Sequence, residues 1–107
     1  MYENLEVDHI FRIVEDDADA INEISSLGFS ASEVRNHTAQ GTSSRFIFFE
    51  KNYLELIYLR SRKESQNNFV KFHERVDNFR NKSGSPYGIG FRGKLSEIET
   101  VSYTHLT

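Results

Sequence analysis

Cysteine is absent from this chain, which excludes disulfides and thiolate metal sites and suits a reducing compartment. No stretch approaches the roughly 20 consecutive apolar residues that a membrane-spanning helix requires. The N-terminus, MYENLEVDH, has neither the basic start nor the apolar run of a signal peptide. A soluble, cytoplasmic protein without a membrane partner is the expectation. Basic blocks are missing as well: net charge is −3 with a pI near 5.8, so nucleic acid is not an expected partner. There is no P-loop, no glycine-rich dinucleotide fingerprint and no nucleophile elbow.

What is present is modest in amount and large in size. The 107 residues suit one domain. Hydrophobic residues make up only 37%, but nine Phe and five Tyr give each buried side chain a large area, so a small core is feasible.

The organising stretch is residues 37–59, HTAQGTSSRFIFFEKNYLELIYL, a polar glycine-containing loop followed by a hairpin. Residues 43–50 read as one strand and 53–59 as its partner. Lys51-Asn52 serves as a two-residue turn, because Asn tolerates positive φ. Glu55 lies between Leu54 and Leu56, with Tyr53 and Ile57 as same-face neighbours at period 2. A carboxylate there requires a cation, hydrogen-bond donors or water. Its functional reading competes with a strand opening onto solvent, or with an ion pair to Arg12 or Arg45.

Upstream, residues 5–14 alternate as a strand, with Leu5, Val7, Phe11 and Ile13 on one face and His9 in its middle. Asp16 or Asp17 is the N-cap of a helix that buries Ala20, Ile21, Ile24 and Leu27, and Gly28 occupies the C′ place. Residues 29–34 read as a short weak strand, and 35–42 as a loop pivoting on Gly41. The order is β-α-β-β-β. Downstream, residues 60–68 form a polar crossing. Phe69, Phe72, Val76 and Phe79 then recur at helical spacing up to Arg80. NKSGSP, residues 81–86 with the only proline, marks a boundary. Residues 87–92 begin a fifth strand, and Ser96 is positioned to cap a further helix. A strand leading into a capped amphipathic start repeats the beginning of the chain.

VDHIFRI, a helix ending in LGF, HTAQGTSSRFIFF, YLELIYL and SPYGIGFR together resemble the glyoxalase-like domains of the vicinal oxygen chelate superfamily. The resemblance covers residues 5–92. It implies an α+β fold: residues 1–59 as a first βαβββ module, 60–86 as a connecting loop with an extra helix, and 87–100 as the first elements of an incomplete second module. Residues 101–107, VSYTHLT, are similar to the in-frame translation of a transposon-end sequencing adapter and are expected to be non-native. In this superfamily ligands bind in a cup formed by paired modules, and metal-dependent members place a His or Gln on a module's first strand and a Glu on its last.

The resemblance therefore implies His9 and Glu55 as ligands of a divalent metal (Zn, Ni, Co, Mn or Fe) and Glu55 as the catalytic carboxylate. The alternative for His9 is a partly buried, hydrogen-bonded histidine. His37, Gln40, Gly41, Thr42 and Arg45 form a group expected to recognise a small-molecule substrate, Arg45 holding an anionic or carbonyl group. The competing reading is a simple turn. The strand at 87–92 offers no His, Gln or Glu, so a third metal ligand is missing there. His73 and Glu74 read as a solvated helix face. The implied activity is that of a lyase or isomerase passing through an enediolate on a small oxygen-rich substrate. A non-catalytic binding module of the drug-resistance type and an inactive fragment are the alternatives. The open sheet is expected to favour a homodimer, two copies of His9 and Glu55 making one site.

Overall fold

The computed structural model of the chain describes residues 2–95, 99–101 and 105–106. Its elements are β1 (Tyr2–Ile13), α1 (Asp17–Ser26), β2 (Arg35–His37), β3 (Thr42–Phe48), β4 (Tyr53–Leu59), α2 (Arg62–Gln66), α3 (Phe72–Arg80), β5 (Tyr87–Leu95), β6 (Glu99–Val101) and β7 (His105–Leu106). They form an α+β fold around one mixed sheet in the order β2-β3-β4-β1-β5-β6, with β7 also pairing β5. β1 and β4 run parallel and the remaining pairs antiparallel. The β1-α1-β2-β3-β4 unit is the expected βαβββ module, and β5 continues the sheet on the far side of β1. Among the described residues no helix is long and apolar enough to cross a membrane.

The sheet has two packed faces because alternate residues point opposite ways. On one, α1 lays Ala20 and Ile24 against Val14, Ile47 and Leu56. On the other, α3 lays Phe72 and Val76 against Phe11, Ile13 and Ile57, with Leu59 and Phe79 at the margin. Burial of Ile13, Ile24 and Val76 is essentially complete.

Local chemistry explains the first helix. The Asp16 carboxylate accepts from the Asp19 amide at 2.8 Å, and Asp17 and Asp19 place negative charge at the positive end of the helix. Gly28 takes φ +86° just beyond the C-cap, the left-handed turn for which glycine is best suited. Ile21 and Leu27, expected in the core, are exposed, so the buried stripe of α1 is narrower than its apolar pattern.

Several boundaries differ from the sequence reading. Residues 29–34 make no strand, and the second strand is Arg35–His37, within the expected loop. Phe29 and Val34 are exposed, and pairing to β3 instead selects the residues nearest the 38–41 turn. The hairpin tip is Glu50-Lys51, one residue earlier than expected: Phe48 pairs with Tyr53, and the Phe49 amide donates to the Asn52 carbonyl at 2.8 Å. Neither tip residue has positive φ, so the tolerance of Asn for that conformation plays no part. The polar crossing contains α2, capped by Ser61. The second amphipathic helix starts at Phe72, because Lys71 is left-handed, and Phe69 is 98% exposed. Phe48 and Phe49 are more than half exposed. Ser96 lies outside the described residues, and the nearby Glu99–Val101 is a strand, not a helix.

Candidate functional site

Glu55 stands in the middle of the sheet face that carries α3, in the rung that includes Phe11, against which α3 packs. It pairs with Phe11 on β1 and Phe46 on β3, so these three residues form one rung across three strands. Parity puts His9, Tyr53, Ser44, Phe48, Arg35 and His37 on the same face. Burial leaves Glu55 7% exposed, a position that demands partners. They are present. The Ser44 hydroxyl donates to Oε2 at 2.5 Å, and His37 Nε2 lies 3.3 Å from the same oxygen and 3.0 Å from Ser44 Oγ. Two acceptors around His37 Nε2 fix the proton on that nitrogen.

Burial pushes the Glu55 carboxyl towards its neutral form. Hydrogen bonds from His37 and Ser44, with the charges of His37 and His9, outweigh it and hold the pKa below the ordinary Glu value. Neither Arg12 nor Arg45 is involved: Arg12 pairs with Glu23 and Arg45 with Asp17.

His9 is 4% exposed and stacks on Tyr53, the centroids 4.7 Å apart and the planes within 4°. Its Nδ1 lies 2.9 Å from Asp8 Oδ2. Its Nε2 faces Glu55 Oε1 at 3.8 Å. Asp8 reaches the ring because β1 bulges there: from Val7 to His9 the strand advances two residues while β5 advances one, from Phe91 to Gly90. The bulge also places Val7 beside Ile10 and Leu54, lining a hollow of about 240 Å³ away from the carboxylate. The expected run of Val7 and His9 on one face is thus broken. Arg92 ties the bulge down, bonding Asp8 at 2.9 Å, Glu6 at 2.8 Å and the Lys51 carbonyl. Burial raises the Asp8 carboxyl, but bonds to His9 and Arg92 bring it below the usual range.

Facing His9 on β5 is Gly90. A Cβ there would meet the His9 ring at 2.3 Å, and one at Gly88 would meet the Phe11 ring at 2.2 Å. The two rings lie across bare backbone, so β5 offers no donor beside His9. The donor chemistry of His9 Nε2 and Glu55 fits half of a divalent metal site, with Asp8 orienting the imidazole as carboxylates do behind metal-bound histidines. Among the described residues no group of three His, Cys, Asp or Glu side chains could hold a metal ion by itself.

Of the expected recognition group, only His37 reaches Glu55. Gln40 is exposed in the 38–41 turn. Gly41, at φ +78°, is packed beneath α2: its carbonyl accepts from the Arg60 and Ser61 amides at 2.7 and 2.9 Å, and a Cβ would strike the Ser61 carbonyl at 2.2 Å. Its role is to let the chain pass under that helix. Thr42 is 1% exposed, its hydroxyl buried without a hydrogen-bond partner among the described residues.

Arg45 is on the α1 face. There it donates twice to Asp17, at 2.8 Å each, and once to the Ser32 carbonyl at 2.8 Å. It braces α1 to the sheet and does not join the residues around Glu55, because position 45 has the opposite parity to Ser44.

Four neighbours of the site were not visible as such in the sequence: Asp8, Ser44, Arg35 and Arg75. Arg35 is exposed on β2, its guanidinium 5.6 Å from the Phe46 ring centre. Arg75 projects from α3 to 4.9 Å from the Phe11 ring centre and donates to the Tyr87 carbonyl at 3.1 Å. Burial lowers the Arg75 pKa from its usual value. Strand parity counted back from Ser44 would have found Arg35, once β2 was placed correctly.

A family model described as a glyoxalase-like domain matches residues 7–94. No curated protein and no solved structure matches the chain.

Proposed function

Because the chain belongs to the glyoxalase-like domain family, we propose that the sheet face around Glu55 binds a small oxygen-rich molecule, with Glu55 and His9 as the recognising pair. The supporting observation is how Glu55 is held: Oε2 is engaged by Ser44 and His37, while Oε1 faces His9 Nε2 at 3.8 Å. A carboxylate with depressed proton affinity is a poor base, since general-base catalysis is most effective when the pKa is near the working pH. It is well suited to accept from a ligand hydroxyl or to bind a cation. Small-molecule binding is therefore the first reading, carried out in the cytoplasm.

A metal-dependent lyase or isomerase is the second reading, and the Asp8–His9 contact favours it. His9 and Glu55 would hold the divalent ion (Zn, Ni, Co, Mn or Fe), which when bound would polarise a carbonyl oxygen. With Gly90 opposite His9, the remaining ligands would come from a second copy, a C2 homodimer uniting two His9 and two Glu55 side chains.

Titration calorimetry with Zn, Ni and Mn on the full chain, beside Glu55→Gln, separates the two readings. Metal binding that disappears in the variant supports the enzyme. No binding by the wild-type chain removes the enzyme and leaves the ligand-binding domain. Sedimentation equilibrium showing a monomer at high concentration removes the homodimer.

A further inference from the structure

The rung through Glu55 carries cationic groups on both sides. Phe11 and Phe46 pair with Glu55 from the two neighbouring strands, and each ring has a guanidinium over it, Arg75 at 4.9 Å and Arg35 at 5.6 Å. Arg12, Arg45, Arg60, Arg62, Arg80 and Arg92 each have a carboxylate within 4.0 Å, whereas among the described residues Arg35 and Arg75 have none. Carboxylates are not scarce, since the chain has 16 acidic against 13 basic residues. The two arginines without a counter-ion among the described residues are the two that flank Glu55.

Stacking on an aromatic face holds a guanidinium plane while leaving its N–H edge available for bidentate binding of a carboxylate. Adjacent strands are about 4.8 Å apart, so the backbones that carry Phe11 and Phe46 are about 10 Å apart, with the Glu55 strand between them. The order along the rung is cation, carboxylate, cation. Its complement is acid, hydroxyl, acid.

We propose that this rung selects a small organic dianion, a hydroxylated dicarboxylate, whose acidic groups are bound by Arg35 and Arg75 and whose hydroxyl donates to Glu55. The Glu55 contact rests on the reading given under Proposed function, while the arginine pair stands on its own geometry. A backbone of roughly four carbons, with a hydrogen bond of about 2.8 Å added at each end, covers the span.

The test titrates tartrate, succinate and dimethyl tartrate into the full chain and follows the amide NMR shifts of Ser44, Phe46 and Glu55. Tartrate is expected to shift all three. Dimethyl tartrate, with the same hydroxyls and no charge, is expected to bind at least about tenfold more weakly. Arg35→Gln, a substitution at an exposed position, is expected to weaken tartrate by about tenfold. Arg75→Gln is expected to do the same, and Arg75→Lys to recover part of the loss. Because Arg75 also packs on Phe11, thermal melts accompany those two variants, and Arg35→Gln alone decides the matter if they do not fold.

Dimethyl tartrate binding as tightly as tartrate overturns the dianion while leaving the oxygen-rich ligand in place. Succinate binding as tightly as tartrate overturns the Glu55 contact and supports the arginine pair. Unchanged tartrate affinity in Arg35→Gln, or no shift with any of the three compounds, overturns the inference.

Discussion

The two faces of the sheet use the same residue types to opposite ends. On the α1 face, Arg45 holds Asp17 through two bonds, Tyr58 adds a third to the same carboxylate at 3.1 Å, and the Ser32 carbonyl takes a further N–H of Arg45. The Arg45 bonds hold Asp17 below its ordinary pKa, and every partner is supplied by the chain. On the α3 face, Glu55 is buried among two histidines and a serine, with two arginines nearby that do not pair with it. One arrangement is complete. In the other, Arg35 and Arg75 have no carboxylate partner among the described residues, and the proposed ligand site rests on that difference.

The largest expected effect tests the packed end of the α1 face. Ile24→Ala removes a side chain that is 0% exposed between Val14, Ile47 and Leu56, and should cost about 2–5 kcal/mol in urea unfolding. A loss below about 1 kcal/mol would mean that α1 closes the cavity by shifting, and that this face is less rigid than its contacts suggest.

A smaller effect bears directly on the contrast between the two arginines. Arg45→Met should cost about 1–2 kcal/mol, a figure discounted for the partial exposure of Asp17. Arg35→Met should change stability by no more than about 0.5 kcal/mol. Equal losses in parallel denaturation curves would show that Arg35 is structural too, erasing the distinction.

The smallest effect is in pH. Glu55 has a depressed pKa in the fold, so its contribution is fully present above the unfolded value, near 4.3, and declines as pH falls through the lower folded value. Glu55→Gln should therefore flatten part of the acid limb of stability against pH and leave the limb above pH about 6 unchanged. Identical acid limbs in the two proteins would place the titration elsewhere, with Asp8 and Asp17 the next groups to examine.

Much of the scaffold was legible because its signals are local. Asp16 and Gly28 bracket α1 by capping chemistry, and Tyr53–Leu59 is an apolar and aromatic run of strand length between polar residues. Glu55 stood out because a carboxylate among apolar neighbours is conspicuous wherever it occurs. The surroundings were harder to read because they depend on register. Arg45 and Arg35 are both arginines near strand three, and only the pairing of Arg35 with Ser44 tells which one shares a face with Glu55. Asp8 depends on a bulge, which no alternation of side chains announces, and Arg75 on the angle at which α3 crosses the sheet. The misplaced second strand has the same origin. Residues 29–34 and 35–37 have similarly weak propensity, and the partner strand decided between them.

Gly90 limits what this chain could become by mutation. The His9 ring occupies the space where a side chain at position 90 would begin, so even alanine must displace the imidazole. Introducing a histidine or glutamate there to complete the proposed metal site would displace His9, one of its two candidate ligands. Position 90 is thus closed to a single substitution that would add a ligand.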